Sequence, residues 1–390
     1  MPILILWFIL RFLTSIFAGY VSNLRPMTSI ERALPLLAHT SSLSQWFDRA
    51  FLSPWLRWDA AWYLRIVTQG YSPTDGTTQF HPLYPWLAAI LTRVGISPTI
   101  CLLLISSFAG IALFYVFYKL IKLDLPPEDA FFGLLLFALA PPSFVLFAPY
   151  PEALFLLFAV LCIFWTRQKS WWLAGLAGGL AALTRQQGVF LLFPMAWELF
   201  EDAERKPRNA IKKWKDWFAL GLIPMGMLIW LVYRAIFLSD LKPNIGDLQS
   251  FIYSILISPS ATQVWIQRFI WPWQALLLSV QKLLTHPDLD LWVNMISGVL
   301  FLVILAITWR NMRISYRIYS FTIAFVSFSY YTGPIHPYMG LPRHLLLAFP
   351  VFIGLAGTIK QPWMRLLTII LSATGMFILL FLYVFQAWVP

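Results

Sequence analysis

Long apolar runs broken by short polar clusters recur along the whole of this 390-residue chain. A helix that crosses a bilayer needs about 20 predominantly apolar residues. Runs near that length predict spans at 3–20, 99–121, 129–148, 216–238, 291–309, 315–332, 343–359 and 364–388. Three shorter runs, 152–166, 171–184 and 187–201, suit tilted or partly shielded helices, the last two joined by a tight turn at 184–188. Two further stretches are poor candidates. The run 83–95 is too short, and 263–283 is interrupted by Arg268 and by Pro272 between two tryptophans. The first run has no basic region before it, and the chain stays apolar for hundreds of residues beyond it. That pattern predicts a retained span rather than a cleaved signal.

Basic residues arbitrate the topology, because cytoplasmic loops of membrane proteins carry an excess of Lys and Arg. The strongest clusters are 205–215 and 310–317, with weaker ones at 119–122, 167–169 and 360–365. If 83–95 and 263–283 lie in the interface or re-enter without crossing, eleven spans with the N-terminus inside satisfy every cluster. The same arrangement places the loop 21–82, the turn 149–152, the turn 184–188 and the segment 333–344 together on the outer side. Counting 83–95 as a crossing would split that group.

Composition makes the class firm. The chain is 59% hydrophobic and only 12% charged, with a mean hydropathy of +0.72, which excludes a soluble globule with a polar shell. Its 28 basic against 17 acidic residues give a net +11. The bases sit in short clusters between apolar runs, so they report loops and not a nucleic-acid surface. Cys101 and Cys162 both fall in apolar stretches, where a thiol packs as a small hydrophobe, and neither a disulfide nor a metal cluster is inferred from them. No internal repeat is visible, and 1–390 reads as a single membrane domain.

Candidate chemistry collects in the outer segments. Asp59, Trp62 and Tyr63 stand at i, i+3 and i+4, sharing one face of a helix along the membrane surface, continued by Ile66 and Val67. A carboxylate in an aromatic-walled, partly dehydrated site can serve as a general base; equally, Asp59 can pair with Arg57 or Arg65 and orient the helix. Glu152 opens an apolar helix after two prolines, where the helix dipole favours an anion. Arg185, between two short apolar helices, needs an anion, which a lipid phosphate or Glu152 could supply. Arg343 matches phosphate by its fork of donors, and His344 and His336 could add a hydrogen bond or a second positive charge; an arginine reaching outer headgroups is the plainer reading. His81, between Phe80 and Pro82, reads as a structural hydrogen-bonder or a substrate contact. Asp59 and Glu152 form a carboxylate pair that leaves metal binding open, with no diagnostic ligand spacing. Phosphate-loop, dinucleotide, zinc-protease and serine-elbow motifs are absent from the sequence.

Trp58-Asp59 with Trp62-Tyr63 and Gly70-Tyr71, Phe80-x-Pro-Leu-Tyr-Pro, Tyr150-x-Glu152, Thr184-Arg185, and Pro342-Arg343 before Phe349-Pro350 occur in that order. Together they resemble the PIG-V type mannosyltransferases, integral membrane enzymes of glycosylphosphatidylinositol-anchor synthesis, and their prokaryotic relatives. The resemblance implies an all-α polytopic C-type glycosyltransferase fold of about eleven transmembrane helices, with interfacial helices in the first outer loop. It implies a polyprenyl- or dolichyl-phosphate sugar donor, a lipid, glycan or protein acceptor, and inverting transfer. Carried over by position, Asp59 is the base, Arg343 and Arg185 face the donor phosphate, and Trp58, Trp62, Tyr63 and Tyr84 wall the sugar. His81 and His344 stand where aromatics are more familiar in the family. A lipid or sugar transporter is the rival from another class; it predicts polar residues deep in the spans, and here Arg11 is the main one. The membrane is the plasma membrane for a prokaryotic source and the endoplasmic reticulum for a eukaryotic one.

Overall fold

A computed structural model describes residues 2–24, 47–206, 213–238, 268–333 and 336–385. In chain order its helices are α1 (Pro2–Asn23), α2 (Asp59–Gln69), α3 (Leu83–Thr92), α4 (Pro98–Ile121), α5 (Pro127–Leu139), α6 (Glu152–Arg167), α7 (Trp171–Thr184) and α8 (Leu192–Asp202). They continue with α9 (Leu222–Phe237), α10 (Pro272–Thr285), α11 (Leu289–Thr308), α12 (Ile314–Ser329), α13 (Leu341–Leu346), α14 (Pro350–Thr358) and α15 (Pro362–Val384). Local chemistry marks the starts. Pro98, Pro127, Pro272, Pro350 and Pro362 each open a helix, where the missing N–H would be unpaired anyway. Ser97 and Asp288 cap α4 and α11 by accepting from the Ile100 and Leu289 N–H groups.

Five described helical segments are long and apolar enough to cross a membrane: α1, α4, Trp214–Phe237, Leu289–Asn311 and α15. The expected span 129–148 is broken. After α5 the chain bends by 81° into a 3₁₀ segment, Pro141–Phe147, because Pro141 and Pro142 lack the N–H groups that would continue the helix and restrict the residue before them. The expected span 343–359 is likewise split, with α14 restarting at Pro350 after α13. The stretch 83–95 forms only the ten-residue α3, about 15 Å long and too short to cross. Part of 263–283 and the loop 239–262 lie outside the described residues, as does most of the first outer loop before residue 47.

Polar side chains sit in two layers joined by the helices. At one end Arg167 pairs with Asp124 at 2.9 Å and Lys360 with Asp129 at 2.6 Å, and Arg313 reaches Glu198 at 3.3 Å. Lys169 reaches Asp202 at 2.5 Å, and Lys213 shares the same carboxylate. Those cations belong to the basic clusters expected on a common side. At the other end lie Asp59, Glu152, Arg185 and Arg343. Since α6 runs from Glu152 to Arg167, the layers are separated by roughly 22 Å along that helix. The exception is Arg11 within α1. It donates to the Phe147 carbonyl and lies 5.1 Å from the Trp55 ring, so it satisfies the carbonyl left open where the broken helix ends.

Glycines let α7 and α9 touch through their backbones. A Cβ at Gly226 would fall 2.0 Å from the Gly179 carbonyl oxygen, and one at Gly175 would fall 2.1 Å from that of Ala219. This close approach, typical of small-residue contacts between apolar helices, fixes the C-terminal end of α7 and hence Arg185. Cys101 and Cys162 are buried free thiols.

Candidate active site

Trp58 adopts φ 53° and ψ −120°, a conformation disfavoured for a residue with a side chain and costing about 1–3 kcal/mol. The kink starts α2 at Asp59 instead of extending the preceding segment. From there the i, i+3, i+4 spacing acts as expected: Asp59, Trp62 and Tyr63 all line one pocket, with Trp58 beside them. Ile66 continues that face as a buried residue.

Four charged side chains from four places in the chain meet at this pocket. Arg343 Nη1 donates to Asp59 Oδ2 at 2.6 Å, and Arg343 Nε lies 3.3 Å from Glu152 Oε1. Arg185 Nη1 donates to the same Glu152 oxygen. Glu152 is fully buried, and its Oε2 has no hydrogen-bond partner. Two carboxylates and two guanidinium groups therefore form a neutral quartet in which Arg343 bridges both acids. A buried arginine without anions would be costly, so the partner of Arg185 is identified as Glu152. Arg65, one of the two cations considered for Asp59, instead binds Asp75 at 2.9 Å. The Arg57 carbonyl accepts from the Tyr150 hydroxyl at 3.1 Å.

The remaining sequence candidates divide. His81 and His344 line the pocket. His81 Nδ1 lies 2.9 Å from the Ala182 carbonyl oxygen, which assigns the proton to Nδ1 and leaves Nε2 an acceptor. Burial pushes His81 down to about 3, and the charges of Arg234 and Arg185 act in the same direction. The His81 imidazole is therefore a neutral wall residue, the structural hydrogen-bonder that the sequence suggested. His344 is buried, with its ring 5.6 Å from that of Tyr330. Tyr84 does not line the pocket. It is buried behind Tyr63, whose ring meets it edge-on at 5.1 Å, and its hydroxyl donates to the Leu102 carbonyl. His336 also stands apart, bound to Asp290 at 2.6 Å, where it braces the segment carrying Thr332 and Met339. Burial raises the Tyr63 phenol well above its ordinary range, so it remains a neutral donor.

Several lining residues were not assigned to the site from the sequence: Gln79 and Phe80, Gln186 and Gln187, Tyr330 and Thr332. The two turns containing the first four were visible as motifs, and their amides supply donors and acceptors suited to hydroxyl groups. Tyr330 gave no sequence signal, because its place depends on a two-residue pairing of Arg268–Phe269 with Tyr330–Tyr331. No cluster of three or more His, Cys, Asp or Glu side chains converges among the described residues; the Asp59 and Glu152 pair holds a guanidinium between its members.

The His81 environment makes stability depend on pH. Between about pH 6.5 and pH 3 the unfolded chain binds a proton at this imidazole and the folded one does not. Folding stability contributed by His81 is therefore present above that window and declines as pH falls through it, by up to about 1.4 kcal/mol per pH unit. Melting of the detergent-purified protein from pH 7 to pH 5 should show a decline that is shallower in His81→Gln. Parallel declines in the two proteins would remove His81 as the source.

The family described as Mannosyltransferase (PIG-V) matches residues 3–201, just over half of the chain. No curated protein matches the sequence. Among solved structures, ArnT from Cupriavidus metallidurans, crystallised with undecaprenyl phosphate, is similar with a TM-score of 0.47 at 14% identity. The match covers 78% of this chain and 56% of that one, so the chain spans little more than half the length of ArnT.

Proposed function

The chain belongs to the PIG-V mannosyltransferase family, and from that premise we propose that it moves a hexose, mannose in the first instance, from a polyprenyl- or dolichyl-phosphate donor to an acceptor hydroxyl. The observation that carries the reading is the charged quartet at one pocket: Asp59, Arg185 and Arg343 line it, and the buried Glu152 behind them holds the two arginines. A lipid phosphate is already a good leaving group, so catalysis needs a base, cations and orientation rather than a covalent intermediate. Asp59 takes the proton from the acceptor hydroxyl as its oxygen attacks the anomeric carbon. The bond from that carbon to the phosphate oxygen breaks, its electron pair stays with the phosphate, and Arg343 and Arg185 face the growing charge. Attack opposite the departing phosphate inverts the anomeric centre. Trp58, Phe80 and the glutamine side chains orient the sugar.

The eleven-span topology belongs to the same reading, with the pocket extracytoplasmic. Support comes from the described basic clusters gathering at the end of the bundle opposite the quartet. Acceptors in keeping with such a site are a glycolipid, a cell-wall glycan or a protein. A transporter fits less well, because the charges of the described spans lie at their ends, with Arg11 engaged in capping a broken helix.

Purified protein in liposomes should transfer radiolabelled mannose from polyprenyl-phosphate mannose and release polyprenyl phosphate, with GDP-mannose unable to replace the lipid donor. Transfer from the nucleotide sugar without any from the lipid-linked one would overturn the proposal.

A further inference from the structure

Arg234 is a cation that the pocket chemistry does not use. It lies in the last turn of α9, within the membrane-spanning segment Trp214–Phe237. Lys213, just before that segment, shares Asp202 with Lys169 at the end of the bundle opposite the quartet. Twenty-one residues of helix rise about 31 Å, close to the thickness of a hydrocarbon core. Arg234 therefore stands at headgroup level on the pocket's side. Ile236 and Phe237 beside it are exposed apolar residues, as expected of a helix bordered by lipid.

Among the described residues Arg234 has no carboxylate partner, and its Nε is buried without a hydrogen bond. Its guanidinium carbon lies 5.9 Å from the Trp230 ring, which also meets the rings of Tyr71 at 4.9 Å, Tyr233 at 5.9 Å and His81 at 6.3 Å. Trp230 thus contacts both Arg234 and a wall of the pocket. The ring face and the C-terminal helix dipole both favour a cation here. Neither is an anionic acceptor for its N–H donors. The pocket's own arginines contrast with it, since Arg343 and Arg185 are already matched by Asp59 and Glu152.

We propose that Arg234 binds the phosphate headgroup of a membrane lipid at the rim of the pocket, as an anion site separate from the arginine pair inside. Among the described residues no carboxylate meets this guanidinium and its Nε has no hydrogen-bond partner, and lipid phosphate is the anion that the headgroup layer supplies in a geometry matched to a bidentate fork. The site holds whether or not the pocket transfers sugar, because it depends on lipid chemistry alone.

The test is native mass spectrometry of the full-length protein released from phosphatidylcholine nanodiscs containing a tenth of phosphatidylglycerol. Wild type should retain one more phosphatidylglycerol than Arg234→Gln, with apparent affinity for that lipid falling about tenfold or more in the variant. Equal retention by wild type and Arg234→Gln overturns the proposal. If the Gln variant fails to insert, Arg234→Lys, which keeps the charge without the fork, must show reduced retention at unchanged melting temperature; unchanged retention is equally fatal. Millimolar inorganic phosphate should leave the lipid bound, whereas displacement would assign the site to free phosphate and overturn the lipid reading.

Discussion

Asp59→Asn is expected to reduce sugar transfer by about 10²- to 10⁴-fold while the protein still inserts and folds. The substitution keeps the shape of the side chain and an oxygen able to accept from Arg343, which now contacts Asp59 Oδ2 at 2.6 Å. It removes the capacity to take a proton. Arg343 retains Glu152 at 3.3 Å, so no isolated buried cation results and the fold should survive. Asp59→Glu makes the complementary test: it preserves the base but displaces it, and misplacement of about 1 Å can cost on the order of 10²-fold. Transfer should be read from polyprenyl-phosphate mannose, with size-exclusion and melting profiles as controls. A well-folded Asn variant that transfers sugar at the wild-type rate would eliminate Asp59 as the base.

The part of this site legible in the sequence is the part governed by local geometry. Asp59, Trp62 and Tyr63 share a face because a helix turns about 100° per residue, and they line one pocket. Glu152 was readable as an acid at a helix start and Arg185 as a cation in need of an anion, each marked by its place at a helix end. That Arg343 bridges Asp59 and Glu152 was not readable, since the first pair is separated by 284 residues and its meeting depends on how α2, α6 and α13 pack. The state of His81 was hidden for the same reason: burial, and not the local sequence, keeps it neutral. Among the spans, Pro141 and Pro142 were visible inside an apolar run, yet hydropathy alone does not register a missing N–H, so the 81° bend was read through. Arg234 was absorbed into the run 216–238 in the same way.

Arg343→Gln should be the most damaging single change at the quartet, abolishing transfer and destabilising the protein by about 3–5 kcal/mol. It leaves the fully buried Glu152 with Arg185 alone and removes the guanidinium that binds Asp59. The quartet then carries a net negative charge where an anionic donor has to bind. Adding Glu152→Gln restores the balance of charge, so the double variant should melt above Arg343→Gln, with a coupling of about 0.5–3 kcal/mol in the cycle. Activity should stay absent, because neutrality alone does not replace the cation facing the phosphate. Arg343→Lys separates the two roles further. It keeps a positive charge between the acids but loses the planar fork, so stability should be largely retained while kcat/KM for the lipid donor falls. If Arg343→Gln melts like wild type, or if the double variant is no more stable than the single one, the quartet is not the coupled charge unit that the distances describe.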